Sequence, residues 1–166
     1  MTSSTLSSDA SLVLPCGRTA VVAPFNGVAQ RILNDLHESI EQKQAPDDDM
    51  TERLLSEVVR TLTDERGEPR RPGARELLAL PTGSRHAILA ESRRLSYGPE
   101  VRIEHTCTAC RKTTTETFDL RRVFLTAYPE GMRPVRFESG GHVFAIGWGT
   151  GQTQKAFRGG RRQKLW

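Results

Sequence analysis

Apolar and polar positions alternate near the N-terminus, recur at helical spacing through the middle of the chain, and return to alternation beyond residue 100. Leu12–Leu14 and Thr19–Ala23 flank Pro15, Cys16 and Gly17, which predicts a hairpin. Asn26 offers a side-chain oxygen to cap a helix whose face carries Val28, Ile32, Leu33, Leu36 and Ile40 and which should stop by Gln44. Asp47, Asp48 and Asp49 follow in a turn, where their charge suits the positive end of the next helix. From Thr51 to Asp64, the spacing of Leu54, Leu55, Val58, Val59 and Leu62 predicts one amphipathic helix.

The string ERGEPRRPGARE interrupts this pattern with prolines, glycines and alternating charges, and reads as an exposed loop. Glu76–Leu80 predicts a short helix ended by Pro81. Ser84 or Gly83 then caps a helix through Leu95, with Ile88, Leu89 and Leu95 inward, Arg85, Glu91, Arg93 and Arg94 outward, and Gly98 as its terminator. Alternation over VRIEHTCTACRKTTTETFDL, Val101 to Leu120, predicts two strands joined by a turn that holds Cys107 and Cys110. Beyond the DLRRVFLTAYPEG connector, Pro134–Glu138 and His142–Trp148 predict a hairpin turning through Ser139, Gly140 and Gly141. GWGTGQ reads as a flexible connector.

The expected class is therefore α+β, with an N-terminal β-hairpin, a helical middle of three to four helices, and C-terminal β-hairpins bearing a C-x-x-C knuckle. Residues 1–10 are Ser- and Thr-rich and are expected to be disordered, 11–150 to form one domain (helical middle 26–97, β-rich part 100–148), and 151–166 to be a basic flexible arm. The N-terminal hairpin is expected to share a sheet with the β-rich part.

Length and composition narrow the function. A chain of 166 residues supports one core of ordinary size. No apolar run is long enough to span a bilayer, and the N-terminus lacks a signal-peptide pattern, so a cytosolic or assembled soluble protein is expected. Three cysteines without a secretory signal argue for a reducing compartment. The net charge of +4 is a C-terminal property: Ser139–Trp166 hold Lys155, Arg158, Arg161, Arg162 and Lys164 and no acid, which leaves the rest at −1. A short basic cluster on a near-neutral body favours a protein partner over nucleic acid. Arg158, Arg161, Arg162, Lys164, Leu165 and Trp166 are the candidate partner-binding residues, with Trp166 as the anchor.

Candidate chemistry is sparse. A C-x-x-C turn supplies half of a tetrahedral zinc site, and no second copy of the motif exists. Cys16 and His142 also fall at predicted hairpin turns, so Cys107, Cys110, Cys16 and His142 form a candidate metal set. The plainer alternative is a knuckle kept without metal, with Cys16 as a small buried apolar residue. Redox C-x-x-C motifs open a helix, whereas this one opens a strand. The sequence contains no G-x-S-x-G, H-E-x-x-H, phosphate-loop or dinucleotide motif. His86 has no evident nucleophile or acid beside it, so no catalytic residue and no small-molecule substrate are expected.

LPCGRTAVVAPFNGVAQRIL, then LLALPTGSRHAILAESRRLSYGPEVRIEHTCTACRKTTTETFDL, then a closing hairpin, resembles the baseplate hub and hub-assembly chaperone proteins of T-even-type contractile phage tails and of phage-like contractile injection systems. The shared features are the small hairpin at Leu14–Arg18, the arginine-rich helix at Arg85–Gly98, and the cysteine strand pair ending in Asp-Leu at Cys107–Leu120; together the likeness covers roughly residues 12–148. Ser84 stands where the family often has an acid. The resemblance implies a non-enzymatic protein with other baseplate or hub proteins as partners, working in the host cytoplasm during assembly, either as a chaperone that dissociates or as a hub subunit retained in the baseplate of the virion or injection particle. The alternative is a zinc-ribbon-like nucleic-acid-binding regulator, with the knuckle as scaffold and Arg158–Lys164 on phosphates.

Overall fold

The computed structural model describes residues 8–42, 50–122, 127–128 and 135–153. Strands β1 (Ala10–Val13) and β2 (Thr19–Val22) form the expected N-terminal hairpin, closed where Leu14 N donates to Arg18 O at 2.8 Å. Helix α1 (Gly27–Glu41) begins at Asn26, whose side chain accepts from Ala29 N at 2.8 Å. That bond satisfies one of the free N–H groups of the first turn.

The expected helix over Thr51–Asp64 is instead two elements. Helix α2 (Met50–Val58) passes directly into strand β3 (Val59–Thr63), which pairs antiparallel with β2. Val59, Thr61 and Thr63 are β-branched and favour the strand. Both Val59 and Leu62 remain buried because the register shifts between Val21 and Val22, so that Val22 faces Val59 while Ala20 faces Leu62. One extra residue in β3 resets the alternation, as a β-bulge does. Helical spacing and bulged-strand spacing thus coincide over these residues.

The ERGEPRR stretch also differs from the expected loop. Asp64–Gly67 forms a tight turn, and β4 (Pro69–Arg70) returns along β3, completing an antiparallel sheet in the order β1-β2-β3-β4. The sheet is thus completed from the helical middle, and the C-terminal hairpins form two separate two-stranded sheets.

Helix α3 (Ala74–Ala79) and helix α4 (Thr82–Tyr97) follow. Gly98 ends α4 at φ +83°, a conformation that disfavours any side chain. Helix α2 packs against α1, α3 and α4, while α4 packs on β1 and β2. Leu14, Val22, Leu55, Val58, Leu62, Leu77 and Ile88 are fully or almost fully buried in the resulting core. Ser92 Oγ donates to Ala23 O at 2.7 Å, and Ser96 Oγ accepts from Phe25 N at 2.7 Å, fixing α4 against the chain leaving β2. Arg85 corrects the expected outward face: its residue exposure is 4 %, and burial lowers its pKa.

Candidate functional site

Strands β5 (Glu100–Thr106) and β6 (Thr113–Asp119) pair in unbroken register, from Glu100 opposite Asp119 to Thr106 opposite Thr113. Val101, Ile103 and Phe118 therefore share one face, and Arg102, Glu104 and Thr117 the other. Neither face is buried, and Ile103 and Phe118 stand exposed.

The tip of this hairpin is a tight loop. Cys107 N donates to Lys112 O at 3.0 Å, Arg111 N donates to Cys107 O at 2.9 Å, and Arg111 takes a left-handed φ of 59°. The backbone N–H groups of Cys110 and Ala109, and after them the Cys110 thiol, are the donors around Cys107 that favour its charged form. These donors stabilise the thiolate and hold the Cys107 pKa below the usual thiol value.

Strands β7 (Val135–Ser139) and β8 (His142–Ile146) turn through Gly140 and Gly141, at φ +58° and +76°. A two-residue turn with both φ angles positive matches the twist of the strands. Phe137 then lies opposite Phe144, with ring centroids 5.2 Å apart and planes 15° from parallel. Both remain 44 % exposed, and Ile146 on the same face is 62 % exposed.

The segment following β8 is docked on the body, contrary to the expected flexible connector. Thr82 N donates to Gly149 O at 2.8 Å, Thr150 bridges to Pro81, and Gly151 is buried. Tyr128 holds its ring 4.4 Å from that of Trp148, tilted by 35°, donates its backbone N–H to Pro15 O at 2.8 Å, and accepts from Gly83 N through its hydroxyl. The start of α4, the turn of the first hairpin and the end of the last one therefore meet.

Of the candidate metal set, Cys107 and Cys110 are brought together. Cys16 packs against the hydrophobic core in the first hairpin turn, and His142 is exposed at the last one. Among the described residues no group of three or more His, Cys, Asp or Glu side chains is placed to hold a metal. Asp47–Asp49 and the candidate partner-binding residues Arg158, Arg161, Arg162, Lys164, Leu165 and Trp166 lie outside the described residues. Sequence reasoning did not single out the Phe137–Phe144 pair, although a two-glycine turn at 140–141 sets that pairing directly.

Among the described residues, the clefts of the body include two of contrasting chemistry. One of about 690 Å³ is lined by Arg18, Asp64, Arg70 and Glu76, with Arg18 and Arg70 both paired to Glu76. Another of about 360 Å³ lies among Phe25, Leu33, Leu36, Leu54 and Tyr97 and has almost entirely apolar walls. No helix among the described residues is long and apolar enough to cross a membrane.

The family model described as T4 bacteriophage base plate protein matches residues 8–144, from the first hairpin through the helical body and the cysteine knuckle into β8. No curated protein and no solved structure gives a significant match. With most of its length matched by that model, the chain belongs to the T4 bacteriophage base plate protein family.

Proposed function

We propose that this chain is a non-enzymatic structural or assembly protein of the baseplate hub in a contractile phage tail or phage-like injection system, acting through protein–protein contacts. The observation that carries this reading is the exposed apolar face of β7–β8, where Phe137, Phe144 and Ile146 stand together without cover among the described residues. A two-stranded hairpin is marginal on its own, and large aromatics at a surface are typical anchors of protein interfaces. The Ile103 and Phe118 face of β5–β6 offers a second contact of the same kind. The partners are other baseplate or hub proteins, met in the host cytoplasm during assembly. The basic segment Arg158–Trp166 adds cations for carboxylates on such a partner.

Co-expression with the neighbouring tail proteins tests the reading. The native chain should co-purify with at least one baseplate protein, and Phe137→Ser with Phe144→Ser should abolish capture while leaving the melting temperature of the body in place. Undiminished capture by the double variant would exclude this face as the contact.

A further inference from the structure

Strand β5 has an open edge whose chemistry follows from the ladder. Cys107 N donates to Lys112 O at 3.0 Å at the tip of the hairpin, and Leu120 N donates to Pro99 O at 2.8 Å at its base. Bonded pairs alternate along an antiparallel ladder, so the backbone groups of Val101, Ile103 and His105 point toward β6. Those of Arg102, Glu104 and Thr106 point outward, and the Arg93 guanidinium reaches Glu100 O from that outer side at 2.7 Å. Among the described residues no other strand pairs with β5, and Arg102 through Thr106 are exposed.

An unpaired edge is a template for another strand, and the charges along this one are self-complementary. Outward-facing residues exchange hydrogen bonds only with outward-facing residues of an incoming strand, which limits how a second, antiparallel β5 can align. A two-fold axis at Arg102 sets Arg102 against itself and Glu104 against Glu100, and an axis at Glu104 sets Glu104 against itself. Like charges directly opposite destabilise a strand pair. An axis at His105 leaves Arg102 and Glu104 opposite threonines, and one at Val101 carries the incoming tip past Gly98 into the end of α4. An axis at Ile103 sets Arg102 of each copy against Glu104 of the other, and Ile103 against Ile103. We infer that two copies of this chain join edge to edge through β5 in that register, forming one antiparallel sheet in the order β6-β5-β5-β6.

Within one copy Arg102 already reaches Glu104 at 2.9 Å on the same face, so the joined edges form a ring of alternating charge. Exposed ion pairs contribute little attraction by themselves. They select the register, while the backbone bonds and the meeting of the two Ile103 side chains, each 49 % exposed in the single chain, hold the edges together. The contact is isologous, as a two-fold dimer requires, and the antiparallel strands leave the two bodies at opposite ends of the joined sheet. The outer edge of β6 presents Thr113, Thr115 and Thr117 and carries no such charge pattern. Edge pairing leaves the Ile103 and Phe118 face open, so the inference stands apart from the proposed hub role and can fail without it.

The test follows the molar mass of the full, reduced chain against concentration by sedimentation equilibrium. The native chain should pass from monomer to dimer as concentration rises. Arg102→Glu alone and Glu104→Arg alone each set like charges opposite one another, and each should stay monomeric where the native chain is dimeric. Both positions are exposed, so both variants should keep the native melting temperature. An equimolar mixture of the two variants should dimerise again, as should the chain carrying Arg102→Glu together with Glu104→Arg, because both restore opposite charges across the axis. A native chain that stays monomeric throughout, single variants that associate as the native chain does, or a mixture that fails to associate would each overturn the inference. Association that survives the charge variants and is lost in Phe137→Ser with Phe144→Ser would place the contact on the last hairpin and overturn it as well.

Discussion

Gly151 lies so close to Arg85 that a side-chain carbon added at Gly151 would fall 2.8 Å from Arg85 Nη1, 2.9 Å from Leu78 Cδ2 and 3.0 Å from Leu78 O. The chain leaving the last hairpin thus closes over a guanidinium that sequence pattern places on the solvent side of α4. Helical periodicity assigns Arg85 outward, because it is blind to a distant segment that returns to cover that face. The burial of Arg85 and the absence of a side chain at residue 151 are two views of the same contact.

Gly151→Val should therefore destabilise the body by about 1–3 kcal/mol, the usual cost of overpacking. The neighbouring atoms include a backbone carbonyl, which cannot rotate away. For a chain of this size, each kcal/mol lowers the melting temperature by about 2–4 °C. Thermal unfolding followed by circular dichroism checks this, and an unchanged midpoint would mean that the segment after β8 does not dock.

Much of the architecture was legible in local signals. Asn26 as cap, Gly98 as terminator, and the Gly140–Gly141 turn each act through their own backbone, and each stands where expected. What escaped depends on partners distant in sequence. Val59 and Leu62 obey helical spacing equally well, and pairing with Ala20 and Val22 decides for the strand. Pro69 and Arg70 look like loop residues until β3 supplies the other half of their ladder. At the candidate site, the Cys107–Cys110 turn was legible, while the separation of Cys16 and His142 from it was not, since hairpin turns alike in sequence can end far apart.

Leu55→Asp and Val59→Asp should each prevent folding. Leu55 is fully buried on α2 and Val59 is 3 % exposed on β3, and an unpaired carboxylate at either position costs several kcal/mol. Arg60→Asp, on an exposed residue between them and Leu62, should fold and differ by less than about 1 kcal/mol. Soluble expression and cooperative melting separate these outcomes; a cooperatively melting Val59→Asp protein would show that β3 does not face the core.

Asp64 predicts an acid-side dependence of stability. Its Oδ1 accepts from Arg66 N at 2.8 Å and Glu68 N at 3.0 Å in the β3–β4 turn, and the Glu68 and Arg66 amides, in that order, hold its pKa below the ordinary value. A carboxyl with a lowered folded-state pKa contributes fully above its unfolded value of about 3.9, and the contribution is lost as pH falls through the folded pKa. The stability gap between the native chain and Asp64→Asn should therefore be wide at neutral pH and shrink in that acid window. Denaturant midpoints measured across the range check this; a gap that widened on acidification would contradict the assignment.

The C-terminal segment allows the nature of the partner to be decided. Arg158, Arg161, Arg162 and Lys164 surround two glycines, and Leu165 and Trp166 are the large apolar side chains of this stretch, which lies outside the described residues. Two such side chains bury too little to offset the ordering of nine residues within one chain. Deleting Arg158–Trp166 should therefore leave the melting temperature nearly unchanged while lowering co-purification of baseplate proteins. Arg161→Ala with Arg162→Ala then separates the readings. Cations paired with carboxylates on a protein give capture that survives nuclease and weakens moderately in salt. Cations on phosphates give retention that nuclease abolishes, with a salt slope that falls by about one for each contact removed. Nuclease-resistant capture that the double variant weakens supports the protein partner, and a nuclease-sensitive one with the steeper slope supports the nucleic-acid regulator.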